Sequence, residues 1–220
     1  QTYSENLSVS VDNIFQLGIP ELDQQLLTPI SPETFILAKG TIGNGQPWLT
    51  RQFIHDGLNR YQHSLLLSFE LPKQKLYPLL NIPDQSQPYF HFLEASNWTN
   101  LDSKPWRNLD FIYDQLCDIC NQVPIQRIVI DSISHGTAFW STKDILTFIN
   151  LCRSLPNFDQ QCILWTFNSH ACIDELEFHL SNCMDIGLSL IHSNHNIYRG
   201  TIDFSKWHPF NNTPVVITGD

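Results

Sequence analysis

The sequence has few basic residues and no long apolar run, and both shortages restrict what the protein can do. Its 220 residues include 12 lysines and arginines against 22 aspartates and glutamates, which gives a formal net charge of −10. Nonspecific affinity for nucleic acid comes from clustered lysine and arginine, and no such run occurs along this chain. No stretch reaches the roughly 18 apolar residues of a membrane-spanning helix, so we expect no membrane partner.

Features of exported proteins are equally scarce. The polar segment 1–13 lacks the apolar core of a signal peptide. All six cysteines fall in segments that are predicted as helix or strand, whereas a secreted disulfide scaffold is short and rich in loops. Cys117 and Cys120 have the spacing of half a zinc site, but no second pair follows at a standard spacing. We therefore expect reduced thiols, no metal and a cytoplasmic protein.

Short apolar segments without strict alternation recur along the chain, separated by helical patterns. The predicted strands span residues 35–38, 64–70, 89–93, 127–132, 162–167 and 185–191. Such segments are typical of a mostly parallel sheet that is covered by helices on both faces. Segments 198–204 and 215–218 predict an antiparallel C-terminal edge. The sequence thus predicts a three-layer α/β fold, with residues 1–16 as an N-terminal arm and residues 17–220 as a single domain.

Helical spacing and capping residues place the helices between these strands. Ile19, Leu22, Leu26 and Leu27 recur at helical spacing. A longer helix is predicted over residues 47–59, with Gly57 as part of a frayed or capped end. Another is predicted to run to Leu155, with Ser141 or Thr142 as its N-cap.

The segment after the first strand has the spacing of a phosphate-binding P-loop. Its residues include Gly40, Gly43, Asn44, Gly45, Gln46 and Pro47. In the pattern G-x-x-x-x-G-K-[ST], the lysine contacts the β- and γ-phosphates and the hydroxyl holds Mg²⁺. Gln46 and Pro47 stand at these two positions. The loop therefore keeps its glycines but lacks its charge and its metal ligand, so we expect weak binding of ATP and Mg²⁺ or none.

The order of motifs resembles that of the RecA-like ATPases, and most closely their KaiC-like branch. The matching motifs are residues 18–23, 40–47, 68–71, 129–132 and 206–208. The resemblance extends over residues 17–219 and implies a RecA-like fold with a degenerate Walker A motif.

The same resemblance assigns roles to four further residues. Glu70 and Asp131 correspond to the acids of an ATPase site, and Lys206 and His208 to residues that contact a neighbouring subunit. The second acid of the first pair is replaced by Leu71, and His208 stands where an arginine is usual. A structural alternative stays open for each: Asp131 as a capping acid, Glu70 as part of a buried network and Lys206 as a partner in a salt bridge.

Three functions remain open. The joint loss of lysine, hydroxyl, second acid and arginine favours a non-catalytic pseudo-ATPase, a structural or regulatory subunit of a homo- or hetero-oligomeric protein assembly. The accessory RecA-like subunits of the eukaryotic Elongator complex, which form a hetero-hexameric ring, are similar in this respect. One alternative is a nucleotide-binding KaiC-like ATPase with a non-standard P-loop. The other is a recombinase-paralogue-type regulator that binds nucleic acid, which the acidic charge does not support.

The tryptophans are interpreted as aromatic packing or as anchors of protein interfaces rather than as base-stacking residues. Those in predicted loops are Trp98, Trp106, Trp140 and Trp207. Exposed tryptophans suit protein–protein contacts. Trp48, directly after the glycine loop, is expected to fill space that a nucleotide would occupy.

Overall fold

The structure is a computed structural model of the chain. It describes residues 14–40, 46–69, 71–95, 108–168, 174–194 and 197–218. Residues 41–45 of the glycine loop and Glu70 lie outside this part, so nothing is stated of their structure. For Gln46 the description covers the backbone alone.

The described residues contain one eight-stranded sheet. Its strands are β1 (Thr34–Gly40), β2 (His63–Ser68), β3 (Phe90–Glu94), β4 (Ile125–Asp131), β5 (Cys162–Asn168), β6 (Ile186–Asn194), β7 (Ile197–Ser205) and β8 (Val215–Thr218). Their order is β3-β2-β4-β5-β1-β6-β7-β8. The first six strands in this order are parallel, and β7 and β8 follow in antiparallel pairing. The predicted mostly parallel sheet with an antiparallel edge is confirmed.

Helices cover both faces of the sheet. The helices of the described part are α1 (Pro20–Asp23), α2 (Gln46–Asn59), α3 (Lys73–Leu80), α4 (Leu109–Gln122), α5 (Thr142–Cys152) and α6 (Asp174–Cys183). Alternate residues of β1 enter different cores: Phe35 and Leu37 pack with α4, α5 and α6, and Ile36 and Ala38 pack with α1, α2 and α3. This division makes the fold three-layered, as predicted. No described helix has the length and apolar character that crossing a bilayer requires.

The predicted start of α5 is confirmed. Ser141 is its N-cap, and its hydroxyl accepts a hydrogen bond from the backbone N–H of Asp144 at 3.2 Å. The carboxylate of Asp144 in turn accepts from the backbone N–H of Ser141 at 3.1 Å. The two bonds form a capping box, which satisfies otherwise unpaired donors at the helix start.

The prediction for Gly57 is confirmed, and the prediction for Leu27 is wrong. Gly57 lies in the last turn of α2, and its carbonyl accepts the backbone N–H of Gln62 at 2.9 Å, which caps the helix end. Gly57 also lies against the side chain of Arg127. The first helix ends at Asp23, so Leu27 falls in the following turn, where its side chain is 65% exposed. Local spacing cannot reveal the contact of Gly57 with Arg127, because the two residues lie far apart in the chain.

Arg127 is a fully buried arginine on β4 that connects the start of the chain to the core. Its guanidinium donates hydrogen bonds to the backbone oxygens of Gln16 and Phe53, both at 2.9 Å. It also forms an ion pair with Asp56 at 2.5 Å. Phe15, immediately before Gln16, is fully buried and pairs with Ile30. Residues 15 and 16, predicted as the end of the arm, therefore pack against the domain.

Candidate functional site

The carboxyl ends of the parallel strands meet at one edge of the sheet, where ligands bind in open α/β folds. Gly40 ends β1 at this edge and pairs with Asn168 on β5. Asp131 ends β4 on the far side of β5, and α2 begins at Gln46. We call this region the carboxyl-edge site. The structure thus brings Gly40, the start of α2 and Asp131 to one edge, while Gly43, Asn44, Gly45 and Glu70 lie outside the described residues.

Asp131 is buried and engaged with a neighbouring strand. The hydroxyl of Thr166, on β5, donates a hydrogen bond to Oδ1 of Asp131 at 2.5 Å. The side chain of Asp131 is only 7% exposed, and Thr166 is fully buried. A carboxylate can anchor a metal ion or accept hydrogen bonds from the protein. In this structure Thr166 supplies a protein donor to one of its oxygens.

Hydroxyl groups beyond Asp131 extend this polar network. The hydroxyls of Ser132 and Ser134 lie 2.5 Å apart, and that of Ser134 accepts the backbone N–H of Asn168 at 3.2 Å. Thr166, Ser132, Ser134 and Asn168 were not among the predicted site residues. The available signal was the presence of polar residues at the ends of two apolar strands.

Lys39 is the basic residue that directly precedes the glycine loop, and it is held by two carboxylates. Its Nζ lies 3.3 Å from Glu177 on α6 and 3.2 Å from Asp203 on β7. The alternation along β1 puts Lys39 on the face of Phe35 and Leu37, opposite the face that packs against α2. Lys39 could not be singled out from the sequence, since neither carboxylate is near it along the chain.

Aromatic side chains flank the start of α2. The ring of Trp48 stacks on that of Tyr198, with centroids 5.4 Å apart and an angle of 11° between the rings. Tyr198 also contacts His192, which faces it across the β6–β7 ladder at a centroid distance of 5.4 Å. Leu190 of β6 pairs with Gly40, so His192 lies just beyond the end of β1. Trp48 therefore belongs to an aromatic cluster near the end of β1.

Lys206 and His208 lie at the opposite end of the parallel strands, close to the start of β1. The backbone N–H of Lys206 donates to the carbonyl of Asp185 at 2.9 Å, and the carboxylate of Asp185 accepts the backbone N–H of Phe35 at 2.8 Å. Phe35 is the second of the seven residues of β1, and Gly40 is the last. At about 3.3 Å per residue, the two edges are separated by roughly 17–20 Å. The structure therefore does not bring Lys206 or His208 to the carboxyl-edge site of the same chain.

His208 and its two neighbours differ in exposure. His208 is 7% exposed, and its Nε2 accepts the backbone N–H of Ser31 at 3.1 Å. Burial lowers the pKa of His208, because desolvation disfavours the charged imidazolium. Lys206 is exposed and donates from Nζ to the carbonyl of Asn182 at 2.7 Å. Of the two residues predicted for an intersubunit contact, Lys206 is the one at the surface.

Trp207 is the most exposed large apolar side chain of the segment. Its ring is 76% exposed, while its indole N–H donates to Asp185 at 3.2 Å. The hydrogen bond holds the ring in one orientation against solvent. A fixed, exposed tryptophan is suited to a protein interface, because little side-chain entropy is lost when it is covered.

Comparison with known proteins identifies the class of fold. No protein-family profile matches the chain, and no curated protein sequence matches it. Among solved structures, it is similar to a KaiC-like protein of the hyperthermophilic archaeon Pyrococcus horikoshii OT3. The TM-score is 0.74 at 13% identity, over 94% of this chain and 99% of the other. The chain therefore has a KaiC-like, RecA-type α/β fold, and at this identity the similarity extends to the fold alone.

Proposed function

We propose that this chain is a non-catalytic RecA-like subunit with a structural or regulatory role in a protein assembly. The observation that carries the proposal is that Lys39 and Asp131 both make contacts within the protein. Lys39 is neutralised by Glu177 and Asp203, and the carboxylate of Asp131 accepts a hydrogen bond from Thr166. Phosphoryl transfer depends on positioning and on positive charge at the phosphates. These contacts engage Lys39 and one oxygen of Asp131 within the protein, which supports a site without phosphoryl-transfer chemistry.

The substitutions in the loop point the same way. Gln46 has no charge to offer a phosphate, and Pro47 has neither a hydroxyl for Mg²⁺ nor a backbone N–H. We therefore propose that ATP and Mg²⁺ are not required cofactors. We also propose a cytoplasmic location, because the described cysteines are free thiols. These are Cys117, Cys120, Cys152, Cys162 and Cys183.

The separation of the two edges supports an oligomer. In RecA-like rings, the P-loop edge of one subunit faces its neighbour, and Lys206 lies roughly 17–20 Å from Gly40 within this chain. A contact between the two edges therefore requires a second subunit. Exposed Trp207 beside Lys206 would anchor that contact, whether the neighbour is another copy or a related RecA-like chain.

Nucleotide titration tests the loss of phosphate chemistry. A fluorescent ATP analogue with Mg²⁺ is titrated into the wild-type chain and into the Gln46→Lys, Pro47→Thr double variant. We expect no saturable binding to wild type below millimolar concentration. A restored charge-assisted contact is worth about 1.5–3 kcal/mol, so the variant should gain roughly 10- to 100-fold in affinity. Micromolar binding and turnover by wild type would instead support the nucleotide-binding alternative.

Light scattering after size exclusion tests the assembly. We expect the untagged chain to form an oligomer, or to co-purify stoichiometrically with a RecA-like partner. Trp207→Ala should weaken that association at least about tenfold, as loss of a buried interface tryptophan typically does. Phe178→Ala is the matched control, because Phe178 is a 65% exposed aromatic on α6. A strictly monomeric chain that captures no partner, or equal effects of both variants, would contradict the proposal.

A further inference from the structure

Two histidines meet at the edge of the sheet farthest from β8. His63 begins β2, and His91 is the second residue of the edge strand β3. His91 is paired in register with Leu65, two residues after His63, so both imidazoles lie on the same face of the sheet. Nδ1 of His63 is 3.0 Å from Nε2 of His91, and the rings are nearly parallel, at 27°.

Neighbouring residues pack against His63, and both imidazoles remain partly accessible to solvent. The ring of Tyr89 packs against His63 at a centroid distance of 5.0 Å, and the backbone N–H of His63 donates to the side chain of Gln126 at 3.0 Å. Both histidines are partly exposed. Burial lowers the pKa of both imidazoles, and the neighbouring His63 adds to the effect on His91. Neutral imidazoles carry a free lone pair at neutral pH.

We propose that His63 and His91 form a two-imidazole binding site for a divalent transition-metal ion of the Zn²⁺, Ni²⁺ or Cu²⁺ class. Imidazole nitrogens bind Zn²⁺ at about 2.0–2.1 Å. Two such nitrogens are about 2.9 Å apart when their bonds to the metal are at right angles, and about 3.4 Å apart in a tetrahedron. The observed separation of 3.0 Å lies between these values. The two nitrogens are therefore already at a distance that one metal ion can bridge.

Metal binding would replace the hydrogen bond between the two rings. In that bond one of the facing nitrogens carries the proton and the other accepts it. Coordination needs a lone pair on both, so the proton moves to the other nitrogen of its own ring, and each side chain turns to face the ion. No net proton is released from two neutral rings. The described residues hold no group of three or more His, Cys, Asp or Glu side chains placed for a metal, so water completes the shell.

Calorimetric titration of the untagged, chelator-treated chain with NiCl₂ and with ZnCl₂ tests the site. We expect one ion per chain with micromolar affinity. His63→Asn and His91→Asn should each weaken binding at least about tenfold, because one ligand alone loses the advantage of chelation. His179→Asn is the matched control, since His179 is likewise a partly exposed histidine and lies one helical turn from Glu175. That variant should bind as wild type does.

Electron paramagnetic resonance of the Cu²⁺-loaded wild-type chain gives a reading that does not depend on any variant. Coupling to two imidazole nitrogens is expected, and each single variant should show one. Metal should also raise the melting temperature of wild type and leave that of the double variant unchanged. The proposal is overturned if wild type binds neither ion at millimolar concentration, if the copper spectrum shows fewer than two imidazoles, or if the double variant binds as tightly as wild type.

Discussion

Gly57 of α2 and Arg127 of β4 fit together because the glycine has no side chain. A Cβ at Gly57 would lie 2.7 Å from Nε of Arg127, with Cδ closer still, and 3.0 Å from the hydroxyl of Ser64. Real Cβ atoms do not approach other atoms so closely, so a larger residue would have to displace the guanidinium. The helix therefore accepts a residue of poor helix propensity in its last turn, where it leaves room for a buried charge.

Gly57→Ala is expected to destabilise the protein by about 1–3 kcal/mol, as overpacking does. Helix propensity alone predicts a gain of about 1 kcal/mol, so the sign of the change separates the two effects. The free energy of unfolding in urea measures it. In a double-mutant cycle with Arg127→Met, the alanine should cost markedly less, because the crowded group is gone. Additive costs would show that Arg127 is not the group that Gly57 accommodates.

Thr166→Val is expected to destabilise the protein by about 1–3 kcal/mol, since it removes the donor to the buried carboxylate of Asp131. Thr50→Val is the control of equal shape. Thr50 is buried in α2, and among the described residues its hydroxyl has no hydrogen-bond partner. Its replacement should therefore be neutral or slightly stabilising. Equal losses of unfolding free energy in the two variants would mean that the Thr166–Asp131 contact contributes nothing.

Ser141→Ala should lower the free energy of unfolding by about 1 kcal/mol, which is the usual loss at an N-cap. Thr142→Ala is the control, because it removes a hydroxyl one residue after the cap and should cost less. The hydrogen bonds from Ser141 lower the pKa of Asp144. We therefore expect the side-chain resonance of Asp144, followed by NMR, to titrate at higher pH in the Ser141→Ala variant. An unchanged titration would argue against the capping box.

Burial raises the pKa of Asp23 from 3.8 to about 6, against the opposing effect of hydrogen bonds from Leu17, Gly18 and Ile19. The folded state therefore binds this proton more tightly than the unfolded chain does. Its contribution to stability falls as the pH rises from about 4 to about 6, and little changes above pH 7. Wild type should therefore gain stability relative to Asp23→Asn on acidification through this window. A difference in melting temperature that is independent of pH would contradict this assignment.

The fold could be predicted from the sequence because its main elements have strong local patterns. The proline break at residues 71–72 predicts a short helix over residues 73–80, and the structure has a helix at Lys73–Leu80. The strand predicted over residues 64–70 ends at Ser68, whose hydroxyl donates to the carbonyl of Leu71 and accepts from its N–H. That turn depends on a side-chain hydrogen bond, which a pattern of apolar residues does not predict.

The candidate site was predictable only in part. Gly40 and Asp131 come at the ends of apolar segments in the sequence, and in the structure they end β1 and β4 at the carboxyl-edge site. The ion pairs of Lys39 with Glu177 and Asp203 depend on strand order, because β1 lies between strands that come much later in the chain. A polar residue at the end of one strand does not reveal which distant element will satisfy it.

The position of β1 also sets the order in which the protein can be completed during synthesis. Strand β1 lies between β5 and β6, so neither of its sheet neighbours exists until residues 162–194 have been made. Until then its apolar residues, Phe35 to Ala38, have no strand to pair with. Long-range pairing of this kind folds slowly and exposes the growing chain to aggregation. We therefore expect the nascent chain to need protection of this apolar strand until residues 162–194 have been made.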